Sequence, residues 1–279
     1  MSAPPALEKL TEGHEAPLAL GRPRVHLRRT DSTNERAREL ALAGAPHGTL
    51  VTADEQTAGR GRQGRRWSAP PRSSLLMSLL LRWAISDRPP PLLPLAAAVA
   101  VCDAIGEQAL VKWPNDIVLA RARPGEARPD AAGGRAPLAK LAGILIEGRP
   151  QEGWVVLGVG VNVAVRLEEL SPELRSPKPA GAGPPTSGLP AATLGLAPEE
   201  IERTLAGLLA ALARRLAEPA QRTLESWRAR DALKGREVAW AGGRGRAQGI
   251  DGAGRLIVAL EGGGQTEIGA GEVHLQELG

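Results

Sequence analysis

Along the chain, short apolar runs alternate with turn residues at a spacing that suits strands. Gly48 to Asp54, Leu75 to Trp83, Leu110 to Lys112, Ile117 to Ala120, Leu141 to Glu147 and Trp154 to Val163 are bounded by Gly, Pro or polar turn residues and read as strands. Helical spacing interrupts them. From Asp31 a cap-type start, then Ala37, Leu40 and Ala41 on one face and a Gly44 stop, predicts a helix of about ten residues. Leu92 to Gln108 is a small-residue helix opened by a triple proline, and Pro198 to Leu216 and Pro219 to Leu233 are amphipathic helices closed by Lys234-Gly235. Five strand-like runs around Val238, Ala247, Leu256, Thr266 and Val273, separated by Gly clusters, have the cadence of a small antiparallel barrel of roughly 45 residues.

This pattern divides the chain into residues 1–23, a poorly ordered Ala/Pro/Glu-rich extension, a main domain over 24–234, and the barrel over 235–279. Two aperiodic Pro/Ala/Gly-rich stretches, Arg121 to Pro137 and Ser171 to Ala192, read as solvent-exposed insertions without chemistry. The longest apolar run, Leu92 to Cys102, is broken by Pro94 and falls short of the roughly 20 residues a membrane span needs. Glu8, Glu12 and Glu15 interrupt any signal-peptide shape, so a soluble protein is expected. Cys102 is the only cysteine, which excludes an internal disulfide and a thiolate metal site and fits a reducing cytoplasm. A net charge of +4 over 279 residues is too dispersed to argue for nucleic acid.

Candidate chemistry begins with Gly59-Arg60-Gly61-Arg62-Gln63-Gly64-Arg65-Arg66-Trp67. Its spacing is not that of a Walker loop, and no helix signature follows. Forked Arg donors on a flexible backbone suit an enclosed phosphate or carboxylate, and Trp67 offers a stacking face. The competing reading, an RG-rich nucleic-acid arm, belongs in a disordered tail, whereas this run lies between two strands. Lys112-Trp113-Pro114-Asn115-Asp116 joins two strands and is equally consistent with plain turn chemistry. In Lys140-Leu141-Ala142-Gly143 a Lys opens an apolar strand, where lysines are ordinarily solvated, and Gly143 removes a side chain beside it.

Composition sharpens these readings. The chain has only three Asn, at 34, 115 and 162, each inside a compact motif, and uses Lys five times against thirty Arg, two of the five being Lys112 and Lys140. A chain that otherwise writes Arg keeps a compact ammonium at those two places.

Asp31-Ser-Thr-Asn34, Gln56 with the GRGRxGRxW run, Lys112-Trp-Pro-Asn-Asp116, Lys140-Leu-Ala-Gly-Ile144-Leu-Ile-Glu147 and Gly158-Val-Gly-Val-Asn162 together resemble the signature motifs of biotin protein ligases, in order and approximate spacing, over about residues 24–276. The resemblance implies an α+β fold: a mixed-sheet catalytic domain related to class II aminoacyl-tRNA synthetases and lipoate ligases, then a small SH3-like barrel. It implies ATP-dependent activation of biotin as biotinyl-5′-AMP, with Mg²⁺ bridging phosphates and no protein-held metal, followed by transfer to a lysine of biotin carboxyl carrier protein. By motif position, Ser32, Thr33, Asn34, Gln56, Gly59, Arg60, Gly61, Arg62, Lys140, Gly143 and Gly158 would hold biotin. Arg60, Arg62, Arg65, Trp67, Lys112, Asn115 and Asn162 would hold the nucleotide, with Lys112 and Asn115 facing the triphosphate. Arg62, Lys112, Asp116 and Lys140 are the catalytic candidates: Lys140 gripping the carboxylate, Asp116 orienting or deprotonating the incoming lysine, and the Arg60–Trp67 loop closing over the adenylate.

A related lipoate or octanoate ligase or transferase is the other enzymatic reading, disfavoured by the joint presence of the GRGRxGRxW loop and KWPND. The residues before Asp31 are Pro/Ala-rich and leave no room for the three-helix repressor domain of some family members, so no sequence-specific DNA partner and no membrane partner is expected. The sheet of this fold offers an edge through which a homodimer could pair. Without Phe or Tyr, pocket walls must be aliphatic or Trp.

Overall fold

The computed structural model describes residues 20–82, 92–120, 136–175, 188–269, 271 and 273–275. The N-terminal extension up to residue 19, the triple proline before Leu92, and most of both Pro/Ala/Gly-rich stretches lie outside them.

Seven strands build the main sheet: β1 (Arg24–Leu27), β2 (Leu50–Ala53), β3 (Ser74–Arg82), β4 (Ala109–Lys112), β5 (Asp116–Ala120), β6 (Leu138–Arg149) and β7 (Trp154–Asn162), in the order β1-β2-β3-β7-β6-β5-β4. β1 and β2 run parallel and the remaining neighbours antiparallel, so the sheet is mixed. Side chains alternate across it. Leu75, Met77 and Leu79 of β3 and Val155, Leu157, Val159 and Val161 of β7 point into one core with α2 (Leu93–Ile105) and α4 (Glu200–Ala217). The Ala-rich sequence of α2 lets its backbone sit close to the sheet. In α4 the buried positions Leu205, Leu208, Ala211, Leu212 and Leu216 follow helical spacing. On the opposite face Val51, Leu80 and Val156 receive Ala37 and Ala41 of α1 (Thr33–Leu42).

Further helices are α3 (Pro172–Arg175), a single turn, and α5 (Ala220–Arg228). A second, antiparallel sheet follows: β8 (Glu237–Trp240), β9 (Gly243–Ile250), β10 (Leu256–Leu260), β11 (Gln265–Ile268) and β12 (His274–Leu275), ordered β11-β10-β9-β8-β12. Its Val238, Ala247, Leu256, Val258 and Val273 continue the main core, so the two sheets share one apolar interior.

Three elements depart from the sequence reading. β1 was not expected, because Arg-Val-His-Leu is mostly exposed and carries no apolar run. β6 begins at Leu138, ahead of the expected Leu141. α5 ends at Arg228 instead of continuing to Leu233: the Val111 N–H donates to the Arg230 carbonyl at 2.8 Å and the Ala232 N–H to Val111 at 2.9 Å. Residues 230–232 thus leave the helix to cover the edge of β4, whose backbone groups need partners.

Candidate active site

The site lies on the α1 face of the main sheet. In Gly158-Val159-Gly160-Val161-Asn162 the valines enter the core and the alternate positions face the site. Cross-strand register lines up Lys112, Asp116, Gly143, Gly160 and Leu76 in one row over five strands, with Gly158 opposite Ser78 in the next. The centre of the sheet therefore presents bare backbone. A Cβ at Gly160 would come within 2.7 Å of the Trp67 indole and one at Gly143 within 3.1 Å, while one at Gly158 would land on the Asn34 amide oxygen. Over this floor opens a cavity of about 650 Å³, of the size that takes drug-sized ligands.

One end of the cavity is a polar clamp at the start of α1. Gln56 Oε1 accepts from the Thr33 N–H at 2.8 Å and the Thr33 hydroxyl at 3.0 Å, meeting donors that a helix N-terminus leaves open. The Ser78 hydroxyl donates to Asn34 Oδ1 at 2.6 Å and lies 2.8 Å from Thr33 Oγ1, while Asn34 Nδ2 donates to Glu147 at 2.9 Å. Ser32, Thr33, Asn34 and Ser78 are all buried.

The arginine loop folds over the other end as a hairpin. Gly61 N–H donates to the Arg65 carbonyl at 2.7 Å and Trp67 N–H to the Gly59 carbonyl at 3.0 Å, with Gln63 at a φ of 55° turning the tip. Gly59 is needed here because a Cβ would strike the Trp67 carbonyl and the Gln56 amide. Arg60 spans Glu35 and Glu147 at 3.0 Å each, and Arg62 donates to Asn115 Oδ1 at 3.2 Å. The Trp67 indole rests on the glycine floor with its Nε1 buried and unpartnered, and the Lys140 ammonium lies 5.9 Å from its ring centre.

Lys140 is not a solvated residue at a strand mouth. It sits inside β6 at a register shift, its own backbone bonded to Pro190 and Ala192 at 2.7 Å each. Its stem passes over Gly143, and Nζ reaches Asp116 Oδ1 at 2.7 Å, with side-chain exposures of 18% and 6%. Burial pushes the Asp116 carboxyl up, but Lys140 and Lys112 outweigh it and hold the group below its ordinary range. A single buried carboxylate therefore lies between two lysines.

Most of the sequence candidates line the cavity: Ser32, Thr33, Asn34, Gln56, Arg60, Gly61, Arg62, Arg65, Trp67, Asn115, Lys140, Gly143, Gly158 and Asn162. Gly59, Lys112 and Asp116 do not line it. Gly59 shapes the hairpin base and Asp116 lies behind Lys140. Lys112, expected at the triphosphate, instead donates to the carbonyl of Val273, the residue before β12, at 2.7 Å. Asn115 and Asn162 spend their amides on the fold: Asn115 Nδ2 donates to Ile144 at 2.8 Å and Asn162 Nδ2 to Ala192 at 2.9 Å. The stretch Ser171 to Ala192 is not without bearing on the site, since Glu173, Leu174, Leu189 and Ala191 at its two ends form a cavity wall. Sequence reading missed Gly160 and Ser78. The alternation in Gly158–Asn162 would have revealed Gly160; Ser78 lies in an apolar strand that gives no signal.

Among the described residues no three His, Cys, Asp or Glu side chains are grouped to hold a metal ion. Asp116 is engaged by Lys140, and Glu147 by Arg60 and Asn34, so the donor set does not fit a resident ion. Among the described residues no helix is long and apolar enough to cross a membrane.

The mixed sheet carries a glycine floor, a lysine–aspartate pair and an arginine hairpin, and the model of the biotin/lipoate A/B protein ligase family matches residues 26–163 of this chain. A second model, the biotin protein ligase C-terminal domain, matches residues 235–275. The biotin--[acetyl-CoA-carboxylase] ligase of Mycobacterium tuberculosis is 34% identical over 269 residues, covering 88% of this chain and 87% of the relative. That of Paracoccus denitrificans is 34% identical over 261 residues, covering 88% and 98%. The chain belongs to the biotin protein ligase family. The bifunctional ligase/repressor BirA of Bacillus subtilis is 40% identical over 151 residues, which span 52% of this chain and only 41% of that relative. Among solved structures, biotin protein ligase from Aquifex aeolicus in complex with biotin and ATP shares the fold, with a TM-score of 0.69, 23% identity, and coverage of 92% of this chain and all of the other.

Proposed function

We propose that the chain activates biotin with ATP and transfers the biotinyl group to a lysine of a biotin carboxyl carrier protein. A biotin carboxylate oxygen bonds to the α-phosphorus and pyrophosphate leaves; the acceptor amine nitrogen then bonds to the acyl carbon, loses a proton, and AMP leaves. The observation that carries this reading is Lys140, which lines a cavity with a polar clamp at one end and an arginine hairpin at the other and is held from behind by Asp116 at 2.7 Å. Both steps bring anions together, so the protein's main task is positioning and charge compensation.

Each group has a part that suits its place. The clamp of Thr33, Asn34 and Gln56 offers donors and acceptors to the ureido ring of biotin. Lys140 meets the carboxylate and then the acyl-phosphate, while Asp116, carboxylate-bearing and buried, holds that ammonium in position. Arg60, Arg62 and Arg65 stand over the phosphates, Trp67 covers the adenylate and excludes water, and Asn162 fixes the wall beside it. Magnesium arrives as part of the ATP substrate. Residues 24–234 form the catalytic unit and 235–279 the accessory one in this reading, with a cytoplasmic setting where ATP and the carrier meet.

Two relatives named as biotin--[acetyl-CoA-carboxylase] ligases, matched over 88% of the chain, support biotin over lipoate. The test is pyrophosphate release and carrier labelling with biotin, ATP and Mg²⁺, beside the same assay with lipoate. Activity with lipoate and none with biotin would overturn the proposal.

A further inference from the structure

Lys112 is 6% exposed, and its ammonium is buried against the C-terminal sheet. It stands directly across the β4–β5 hairpin from Asp116, so both side chains emerge on one face. It donates at 2.7 Å to the carbonyl of Val273, and its charge is felt at Asp116, which in turn holds Lys140. Two residues earlier in the same C-terminal segment, the Gly271 carbonyl accepts from Arg62 of the hairpin at 3.4 Å. The neighbouring Trp113 indole donates to the Gly254 carbonyl at 3.0 Å. Gly271 and Val273 thus touch both halves of the site, Gly271 the hairpin through Arg62 and Val273 the Lys112–Asp116 row through Lys112.

We infer that Lys112 is a positioning residue, which ties Val273 to Asp116 and through it fixes the Lys140 ammonium, and that the C-terminal sheet acts on catalysis through this tie. A lysine reaching for the β- and γ-phosphates would serve the first half-reaction only, because pyrophosphate has left before transfer. A lysine that holds Asp116 and Lys140 serves both. The inference rests on the proposed biotin activation for its kinetic arm.

The experiment is Lys112→Met, which keeps the stem and removes the ammonium, assayed in two half-reactions: adenylation from ATP by pyrophosphate release, and transfer from preformed biotinyl-5′-AMP to the carrier. Both rates are expected to fall by tenfold or more and by similar factors, with the KM for ATP changing less than twofold. In parallel, amide hydrogen exchange without substrates should speed up at 273–275 and at β8 in Lys112→Met, with the rest of the main sheet protected as in the wild type. A transfer rate unchanged beside a raised KM for ATP would make Lys112 a phosphate ligand and overturn the inference; so would unchanged exchange at 273–275. The exchange arm needs no ligand, so an inactive wild type would refute the biotin reading while leaving the tie testable. Lys112→Arg, which keeps the charge, should retain slow exchange at 273–275 and partly restore transfer.

Discussion

Replacing Asp116 by Asn removes one negative charge and almost no volume, and isolates the charge row. In the wild type a carboxylate with 6% side-chain exposure faces Lys140 at 2.7 Å and feels Lys112 from the other side. The variant leaves two ammoniums, one of them 6% exposed, with no anion between them. Breaking a buried pair from one side typically costs 3 to 5 kcal/mol, and because Lys140 opens toward the cavity, the lower end applies, about 3 kcal/mol. Urea unfolding at pH 7 should show this loss as a lower midpoint at unchanged slope.

The variant should regain stability from any ligand that brings an anion to Lys140, so biotinyl-5′-AMP should raise its midpoint by the increment that its dissociation constant and concentration set. The pH dependence gives a second reading. The folded Asp116 titrates below its ordinary value of 3.8, so its stabilisation is complete above that pH and lost as the pH falls through the folded value. This acid-side loss should be shallower in Asp116→Asn. A variant within 0.5 kcal/mol of wild type, with unchanged acid unfolding, would refute the charge-row account.

Lys140→Ala should abolish adenylation to within a thousandth of wild type in a pyrophosphate-release assay and, contrary to the expectation for a solvated lysine, should also lower the melting temperature, because Asp116 loses its 2.7 Å partner. Gly160→Ala should displace the Trp67 indole, whose nearest atom would stand 2.7 Å from the new methyl, with a shift in Trp emission and at least tenfold weaker ATP affinity by calorimetry. Asp231, pushed up to about 6 by burial, favours its protonated form in the fold, so its contribution is present below pH 3.8 and lost as the pH rises to about 6. Asp231→Asn, which keeps the acceptor for the Leu233 N–H, should therefore stabilise the protein at pH 8 by up to about 3 kcal/mol in urea melts and leave pH 4 stability nearly unchanged.

The residues that made the site legible are those whose types the chain otherwise avoids. Three asparagines and two of five lysines fell in the motifs because a biased Arg/Ala/Gly background leaves such residues only where their geometry is required. The strands were legible because their apolar runs are short and punctuated. What stayed hidden depends on backbone atoms distant in sequence. Lys112 binds a carbonyl 161 residues away, and a carbonyl has no letter in a sequence. The pairing of residues 230–232 with β4 is likewise a backbone contract, so continuing helical periodicity past Arg228 was the natural misreading. The C-terminal end of the second Pro/Ala-rich stretch joined the cavity wall because Lys140 and Asn162 hold the main chain at Pro190 and Ala192, and the N-terminal end is tied to it by the Ala191 N–H donating to the Leu174 carbonyl.

The glycine floor shows why sequence, stability and chemistry are coupled here. Gly143, Gly158 and Gly160 lie in central strands, where each glycine costs roughly 0.5 to 1 kcal/mol relative to alanine. Alanine is unavailable at Gly158 and Gly160 because its methyl would meet Asn34 or Trp67. The strand is held instead by its other face, where Val159 and Val161, at 3% and 1% exposure, enter the core; burying a side chain of this size contributes about 1.5 to 3 kcal/mol. One five-residue run thus separates its two duties by parity. The valines anchor β7, and the bare alternate positions let Trp67 and Asn34 come down to the sheet, while Gly143 on β6 leaves room for the Lys140 stem that reaches a carboxylate on the adjacent strand. A one-residue slip of β7 would put valines under Trp67 and glycines in the core, so the register that stabilises the fold is the one that opens the site.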